Sequence, residues 1–121
     1  MQNIKQKKKS RMGSTDGYRK YISAFTGYAL FYTENKIVYV IDKSSKKYLS
    51  DKNLSELEEE LDPELFFRAN RQYIVNINYV KGYKAYEKVK LQVDLTLPEI
   101  NHCIIISQET TPAFRKWMYD A

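Results

Sequence analysis

The sequence lacks most of the features on which secreted and membrane proteins depend. It contains one cysteine, Cys103, so an intrachain disulfide is excluded and a reducing compartment is the simplest expectation. The basic start at residues 1–9 has no apolar stretch behind it, unlike a secretory signal. No run approaches the roughly 18 apolar residues of a membrane span. We therefore expect a cytoplasmic protein without a membrane partner.

Motifs of catalysis and of cofactor binding are also missing. The four glycines are scattered and form no phosphate-binding loop, and the sequence has neither a metal-binding Cys or His pair nor a serine elbow. His102 adjoins Cys103, but neighbouring residues of a strand point to opposite faces and cannot act as a dyad. We expect the histidine in a turn and the cysteine in the core. The sequence predicts no enzyme, no cofactor and no metal site.

The net charge of +5 belongs to the first residues rather than to the bulk of the chain. Residues 1–11 carry five basic side chains and no acid, so the remainder is formally neutral, with 15 bases and 15 acids. We interpret residues 1–10 as a basic, disordered tail or linker and residues 11–121 as one domain. Within the domain, residues 51–64 are mainly acidic and residues 68–90 mainly basic. This distribution allows one face to dock on a polyanion, although two solvated surfaces are the simpler explanation.

Short apolar and aromatic runs separated by polar turns predict an all-β fold of mainly antiparallel sheets. Tyrosine is the most abundant aromatic residue, with 11 copies, and it suits half-buried strands. The apolar run in Lys36–Asp42 indicates a strand covered on both faces, and the alternation in Lys88–Leu97 indicates a half-buried strand. Further strands are predicted at Tyr18–Phe25, Tyr28–Thr33, Tyr48–Leu49, Phe66–Val80 with a polar interruption at Arg68–Gln72, and Cys103–Ile106.

Two short helices are expected among the strands. The first is capped by Asn53, with Glu56 three residues later as in a capping box, and it ends at Asp62–Pro63. The second begins with Thr111 as its cap and Pro112 at its first position. Each helix has an apolar stripe for the core, formed by Leu54, Leu57 and Leu61 in the first and by Phe114, Trp117 and Met118 in the second.

One segment, FFRANRQYIVN at residues 66–76, differs from the other strand boundaries. It begins with two aromatic residues, continues with polar side chains that carry forked hydrogen-bonding groups, and ends in an apolar strand. Arginine, asparagine and glutamine can each form two hydrogen bonds with one base edge in a major groove. Polar loops between strands are common, however, so the residues alone leave a DNA-binding loop and an ordinary loop as alternatives.

The same segment resembles the hallmark motif of LytTR DNA-binding domains, usually written F-x-R-x-H-R-S-Y-I-V-N. Other parts of the family pattern occur in the same order. Residues 28–35, YALFYTEN, resemble its early strand and turn, and residues 54–58, LSELE, resemble its L-x-E-L-E helix. Residues 104–107, IIIS, resemble its final V-S-R strand. The resemblance covers roughly residues 11–119, which is nearly the whole chain.

The resemblance implies a LytTR-like β sandwich of about ten strands in stacked antiparallel sheets, with one short central and one short C-terminal helix. Such domains bind promoter DNA as output domains of bacterial response regulators, usually behind a receiver domain. Loops between strands enter successive major grooves, and two domains commonly occupy paired repeats. The implied partners are double-stranded promoter DNA, a second domain on the adjacent repeat, and an upstream receiver or sensor kinase.

The resemblance also assigns base contacts to Asn35 in the first loop, Arg71 in the central motif and Gln108 after the last strand. Asn70 stands where the family often has His, Gln72 where it has Ser, and Gln108 where it commonly has Arg. Asparagine and glutamine still bond adenine, so these departures change the preferred sequence more than binding itself. The loss of arginine at position 108 removes one phosphate or guanine contact. Charge distribution alone adds four candidate phosphate contacts, Lys36, Lys84, Lys88 and Lys90.

Two other functions stay open at this point. A protein-interaction module of the same fold would show no salt-sensitive DNA affinity and would expose an apolar patch. An enzyme is a more distant alternative and would gather titratable groups in a pocket. Arg71 also has a purely structural alternative, in which it pairs with an acid of residues 56–64 and braces the fold.

Overall fold

The computed structural model describes residues 27–97 and 101–120 of the chain. In these ranges there are eight strands, two α-helices and a short 3-10 helix at Ile77–Tyr79. The strands are β1 (Tyr28–Glu34), β2 (Ile37–Asp42), β3 (Lys47–Ser50), β4 (Phe66–Arg68), β5 (Tyr73–Asn76), β6 (Val80–Tyr86), β7 (Lys90–Leu95) and β8 (Ile104–Ile106). The helices are α1 (Leu54–Glu60) and α2 (Thr111–Asp120). The predicted tail at residues 1–10 and the predicted strand at Tyr18–Phe25 lie outside the described residues.

The strands form two antiparallel sheets. Sheet A has five strands in the order β3-β2-β1-β5-β4, and sheet B has three in the order β6-β7-β8. Strand β1 is the centre of sheet A, with Thr33 opposite Val38 of β2 and Tyr32 opposite Tyr73 of β5. This register brings the end of β1 and the start of β5 to the same end of sheet A.

Alternation along the strands divides the side chains of sheet A between two hydrophobic clusters. One face packs on helix α1, in a cluster of Phe31, Val38, Val40, Phe66 and Ile74 with Leu54, Leu57 and Leu61. The other face packs on sheet B and helix α2, in a cluster that includes Leu30, Tyr32, Ile41, Val75, Leu91, Val93, Ile104, Ile106 and Phe114. The prediction that β2 is covered on both faces is confirmed, and sheet A is the middle layer of the fold.

Helix α1 begins where the sequence predicts. Asn53 Oδ1 accepts a hydrogen bond from the Glu56 amide at 2.8 Å, and Glu56 Oε1 accepts one from the Asn53 amide at 2.9 Å. This capping box satisfies two amides that have no partner within the helix. The helix ends at Leu61, whose backbone is extended, just before Asp62–Pro63. Its apolar stripe therefore lies over sheet A in a fixed orientation.

The mainly antiparallel all-β fold is confirmed, but several details differ from the prediction. The described residues hold eight strands rather than about ten, and one of them, β6, is not predicted because its mostly exposed side chains show no apolar alternation. The strand predicted at Lys88–Leu97 is shorter, Lys90–Leu95. The residues before it form the turn from β6, in which Glu87 has a positive φ of 55°.

Two further expectations near the C-terminus are wrong. Cys103 is exposed rather than buried, because the core-facing residues of β8 are Ile104 and Ile106, each 0% exposed. The first hydrogen bond of helix α2 joins the Phe114 amide to the Thr110 carbonyl, so the cap position lies one residue earlier than predicted. The predicted apolar stripe of α2 is confirmed, since it packs on the cluster shared by the two sheets.

Candidate nucleic-acid interface

The β1–β2 hairpin presents Asn35 and Lys36 at one end of sheet A. Glu34 pairs with Ile37, so only two residues form the turn. Both have positive φ, 54° and 69°, as the central residues of a type I′ turn do. Asparagine adopts this conformation more readily than most residues, and both side chains are exposed. The short turn leaves the backbone of Asn35 little freedom.

The polar loop between β4 and β5 is held by Arg68. Its Nε donates to the Asn70 carbonyl at 2.7 Å, and its Nη2 donates to the Arg71 carbonyl at 2.9 Å. Its Nη1 donates to Oε1 of Glu58 on helix α1 at 3.0 Å, in an ion pair. One guanidinium thus fixes two successive carbonyls of the loop and ties them to the helix.

The Arg71 side chain is exposed at the tip of the same loop. Its guanidinium has no hydrogen-bond or ion-pair partner among the residues that the structure describes. The arginine that pairs with an acid of residues 56–64 is Arg68, through Glu58. The described contacts therefore give no support to the alternative in which Arg71 braces the fold.

The Asn70 side chain joins the loop to sheet B. Its Nδ2 donates to the Ile105 carbonyl of β8 at 2.8 Å, and its Oδ1 accepts from the Gln72 amide at 2.8 Å. Next to it, the Thr33 amide at the end of β1 donates to the Gln72 carbonyl at 3.0 Å. The β1–β2 hairpin, the β4–β5 loop and β8 are thus linked by direct hydrogen bonds. Asn70 is engaged at both ends of its amide and orients the loop.

Gln108 is exposed in the turn between β8 and helix α2. Ser107 holds this turn, because its carbonyl accepts from the Thr111 amide at 3.0 Å and from the Thr111 hydroxyl at 2.8 Å. Strand β8 runs antiparallel to β7, with Ile106 opposite Leu91. Gln108 therefore follows β8 out of the sheet beside the start of β7.

A row of paired residues leads across sheet B to the β4–β5 loop. Lys84 on β6 is opposite Gln92 on β7, which is opposite Ile105 on β8, the residue that Asn70 contacts. Paired residues of neighbouring strands point to the same face, so Lys84 lies on the outer face of sheet B. With strands about 4.8 Å apart, the Lys84 backbone is roughly 10 Å from that of Ile105.

The other two candidate lysines of sheet B lie around the β6–β7 turn. Lys88 is exposed within the turn. Lys90 is at the start of β7 and forms an exposed ion pair with Glu87, with 3.4 Å between Nζ and Oε1. Because exposed pairs of this kind contribute little, Lys90 can exchange this partner for a phosphate. The turn and the outer face together make a basic surface, which we call the sheet B lysine surface (Lys84, Lys88 and Lys90).

An aromatic cluster packs next to the β1–β2 hairpin and the β4–β5 loop. Tyr32 stacks on Tyr39 and on Tyr73, with ring centroids 5.2 and 6.1 Å apart, and the His102 ring lies 4.3 Å from the Tyr32 ring. The Tyr73 hydroxyl and His102 Nδ1 are hydrogen-bonded at 3.0 Å. Burial lowers the pKa of His102 and raises the pKa of Tyr73. Both shifts favour neutral side chains, which suits packing between the two sheets.

The family model described as the LytTr DNA-binding domain matches residues 20–119, most of the chain. The chain belongs to the LytTR family. Domains of the LytTR family are generally DNA-binding output domains of response regulators, and the resemblance seen in the sequence is confirmed.

A solved structure has the same LytTR fold. It is the LytTr DNA-binding domain of a Bacillus cereus protein described as a methyl-accepting/DNA response regulator, with a TM-score of 0.67 and 22% sequence identity. The match covers 78% of this chain and 83% of that chain. At this identity the likeness shows the fold alone. Comparison with curated proteins gives no match.

The sequence of this LytTR domain points to Arg71 but gives no sign of the part played by Arg68. Both arginines lie in the same motif. No feature of the sequence shows that the Arg68 side chain bonds the carbonyls of its own loop, or that it pairs with Glu58, ten residues earlier in the chain. In the described part of the domain, no three His, Cys, Asp or Glu side chains cluster as metal ligands. None of the helices in the described ranges has the length and apolar character of a membrane span.

Proposed function

We propose that this LytTR domain binds double-stranded DNA sequence-specifically, with its inter-strand loops in successive major grooves. The observation that carries the proposal is the state of Arg71. Its backbone carbonyl is held by Arg68, while its exposed guanidinium has no partner in the described part of the chain. A guanidinium presented in this way can bond O6 and N7 of one guanine, which is worth about 1–3 kcal/mol of discrimination. In this proposal Arg71 reads one base pair.

Asn35 and Gln108 are the two further base-reading residues of the proposal. Each is exposed in a turn whose backbone is fixed, Asn35 by the two-residue hairpin and Gln108 by the hydrogen bonds to Ser107. An amide side chain can bond N6 and N7 of adenine, so both positions favour adenine over guanine. Asn70 stays in the binding site mainly as the group that links the loop to β8.

Phosphate contacts come from Lys36 in the first turn and from the sheet B lysine surface. Such contacts position a protein on the duplex without carrying sequence information. The row from Lys84 to Ile105 ends at the loop that bears Arg71, which supports one continuous docking face. The basic residues 1–10 add affinity for any duplex, since lysines on a tail hold no single register.

The wider setting of the proposal comes from the family. The domain acts in the cytoplasm on promoter repeats, with a second copy on the adjacent repeat. An upstream receiver domain or sensor kinase supplies the signal. The Bacillus cereus protein whose domain has the same fold is described as a response regulator, which agrees with the proposed upstream signal.

The deciding experiment is selection of bound duplexes from a random pool, followed by comparison of two variants. Arg71→Ala should lose selectivity at one base pair by about 1–3 kcal/mol while affinity for random duplex and the melting temperature change little. Arg115→Ala, which removes an exposed arginine from helix α2, is the matched control and should keep the selectivity. If Arg71→Ala melts several degrees lower and keeps its base preference, Arg71 is a structural brace.

A protein-interaction module is the second candidate, favoured by one observation. Strand β3 is at an edge of sheet A, and it exposes Leu49 at 72% and Tyr48 at 45%. Exposed apolar side chains on an edge strand are suited to contact with another polypeptide. This candidate predicts no enrichment of any duplex in the selection and no salt-dependent affinity for DNA, so the same experiment separates the two functions.

A further inference from the structure

We infer that Arg68 is a positioning residue for sequence recognition, one that sets the place of the Arg71 side chain without contacting DNA itself. The inference rests on the proposed function, because it concerns the same loop. It starts from the geometry of one guanidinium whose Nε, Nη1 and Nη2 all have partners within the domain. Two of these partners are the consecutive carbonyls of Asn70 and Arg71.

The shape of the guanidinium is essential to this contact. Arginine presents its donors in a rigid planar fork, so it can bond two carbonyls of one loop at the same time. A lysine ammonium is a single point on a flexible stem and cannot span both carbonyls with the same geometry. Without the fork, the Asn70 and Arg71 carbonyls turn to water and the loop samples several conformations. Arg71 then has to be ordered on binding, which lowers affinity for the correct base.

The ion pair with Glu58 has a lesser part. The Glu58 side chain is 54% exposed, so water and salt screen the pair and its contribution to stability is small. Glu58 orients the guanidinium from the helix side, whereas the two carbonyl bonds hold the loop. Glu58→Gln keeps an oxygen that can accept from Nη1 and removes only the charge. It is therefore expected to retain base selectivity, unlike a change that breaks the carbonyl bonds.

The test measures base selectivity of the full 121-residue chain with a duplex selected from a random pool and the same duplex altered at the base pair read by Arg71. Arg68→Lys should lose about 5- to 150-fold selectivity at that base pair, as Arg71→Ala does. Glu58→Gln and Arg115→Lys, a matched replacement on helix α2, should keep it. In the double variant Arg68→Lys with Arg71→Ala, selectivity should fall no further than in Arg71→Ala alone, because Arg68 acts through Arg71.

Each outcome decides between the two claims. Full selectivity in Arg68→Lys, with the loss still seen in Arg71→Ala, overturns the positioning role and leaves the proposed function intact. A further loss in the double variant shows that Arg68 acts on the DNA directly, which also overturns the inference. Full selectivity in Arg71→Ala overturns the proposed function and the inference with it. Selectivity is the ratio of the affinities for two duplexes. If less of the Arg68→Lys protein is folded, both apparent affinities fall by the same factor and the ratio is unchanged.

Discussion

Sheets A and B are both antiparallel, but they are covered differently. In sheet A, strand β1 buries four consecutive residues, 29–32, because helix α1 covers one face and sheet B covers the other. In sheet B, the described residues bury side chains mainly on the inner faces of β7 and β8, and β6 is largely exposed. The comparison teaches that sheet A contributes to the core with both faces, whereas sheet B contributes with one face and leaves the other available for a polar partner.

The largest expected effect comes from truncating one isoleucine on the outer face of each sheet. Ile74 is 1% exposed between sheet A and helix α1, so Ile74→Ala should lower the free energy of unfolding by about 2–5 kcal/mol. Ile105 is half-buried on the outer face of sheet B, so Ile105→Ala should cost less than half as much. Urea unfolding followed by circular dichroism measures both. Equal losses would mean that sheet B is covered in solution as fully as sheet A.

The next effect concerns binding rather than stability. Replacing Lys84, Lys88 and Lys90 together by Ala should flatten the dependence of log K on log salt concentration by up to about 2.7, since each phosphate contact contributes about 0.9. The melting temperature should change little, because exposed side chains outside the core contribute little to stability. Affinity titrations at several salt concentrations give the slope. The loss should be the same for specific and random duplexes.

A matched control removes the same charge from other surfaces. It replaces Lys43 and Lys46, in the turn between β2 and β3, and Lys116 on helix α2. The β2–β3 turn lies at the end of sheet A opposite to Asn35, and Lys116 is on helix α2 rather than on the sheet B lysine surface, so the control should leave the salt slope unchanged. If the control flattens the slope as much as the sheet B variant, net charge rather than a docking face accounts for binding.

Most of sheet A could be predicted from the sequence, because its residues are buried and buried strands have a recognisable pattern of apolar residues. The run at Lys36–Asp42 and the capping box at Asn53 correspond to β2 and α1 almost residue for residue. Strand β6 could not be predicted, since a strand exposed on most of its length has no apolar period to reveal it. The prediction for Cys103 is wrong because β8 begins one residue later, at Ile104, and only Ile104 and Ile106 face the core.

For the candidate site, the sequence predicts a set of residues but not their arrangement. The family motif indicates Arg71, and the structure places it on an exposed loop tip. The hydrogen bonds from Arg68 to the loop and from Asn70 to Ile105 link residues whose approach depends on how the two sheets pack. Neither local propensity nor charge contains that information, so these two positioning contacts appear only in the folded chain.

A smaller effect is expected from the cap that holds helix α1 on sheet A. Asn53→Ala leaves the Glu56 amide without its acceptor and should cost about 1 kcal/mol of unfolding free energy. Asn53→Asp keeps an acceptor oxygen at the same place and should cost almost nothing. Thermal unfolding of the two variants measures the difference. A similar loss in both would mean that the Asn53 side chain contributes through its amide nitrogen instead.

The smallest effect is a pH dependence at the junction of the two sheets. Burial holds the pKa of His102 below its ordinary value of 6.5, so the unfolded chain binds the proton more readily than the folded one. The stability that neutral His102 provides is therefore present above pH 6.5 and is lost as the pH falls below it. His102→Gln should remove this part of the pH dependence. The melting temperatures of the unchanged protein and of His102→Gln are compared between pH 5 and 7.5. If both fall by the same amount as the pH falls, His102 is not the source of the pH dependence.

The two-residue turn at Asn35 and the hydrogen bond between Thr33 and Gln72 fix the position of the β1–β2 hairpin relative to the β4–β5 loop. If Asn35 and Arg71 read bases as proposed, one extra base pair between their two targets moves the second base by about 3.4 Å along the duplex axis and turns it by roughly 35°. Neither loop can follow such a displacement without breaking the pairing of β1 with β2 or β5. In the proposed mode of binding, the domain therefore measures spacing as well as sequence, and it should reject a duplex that has the right bases at the wrong distance from each other.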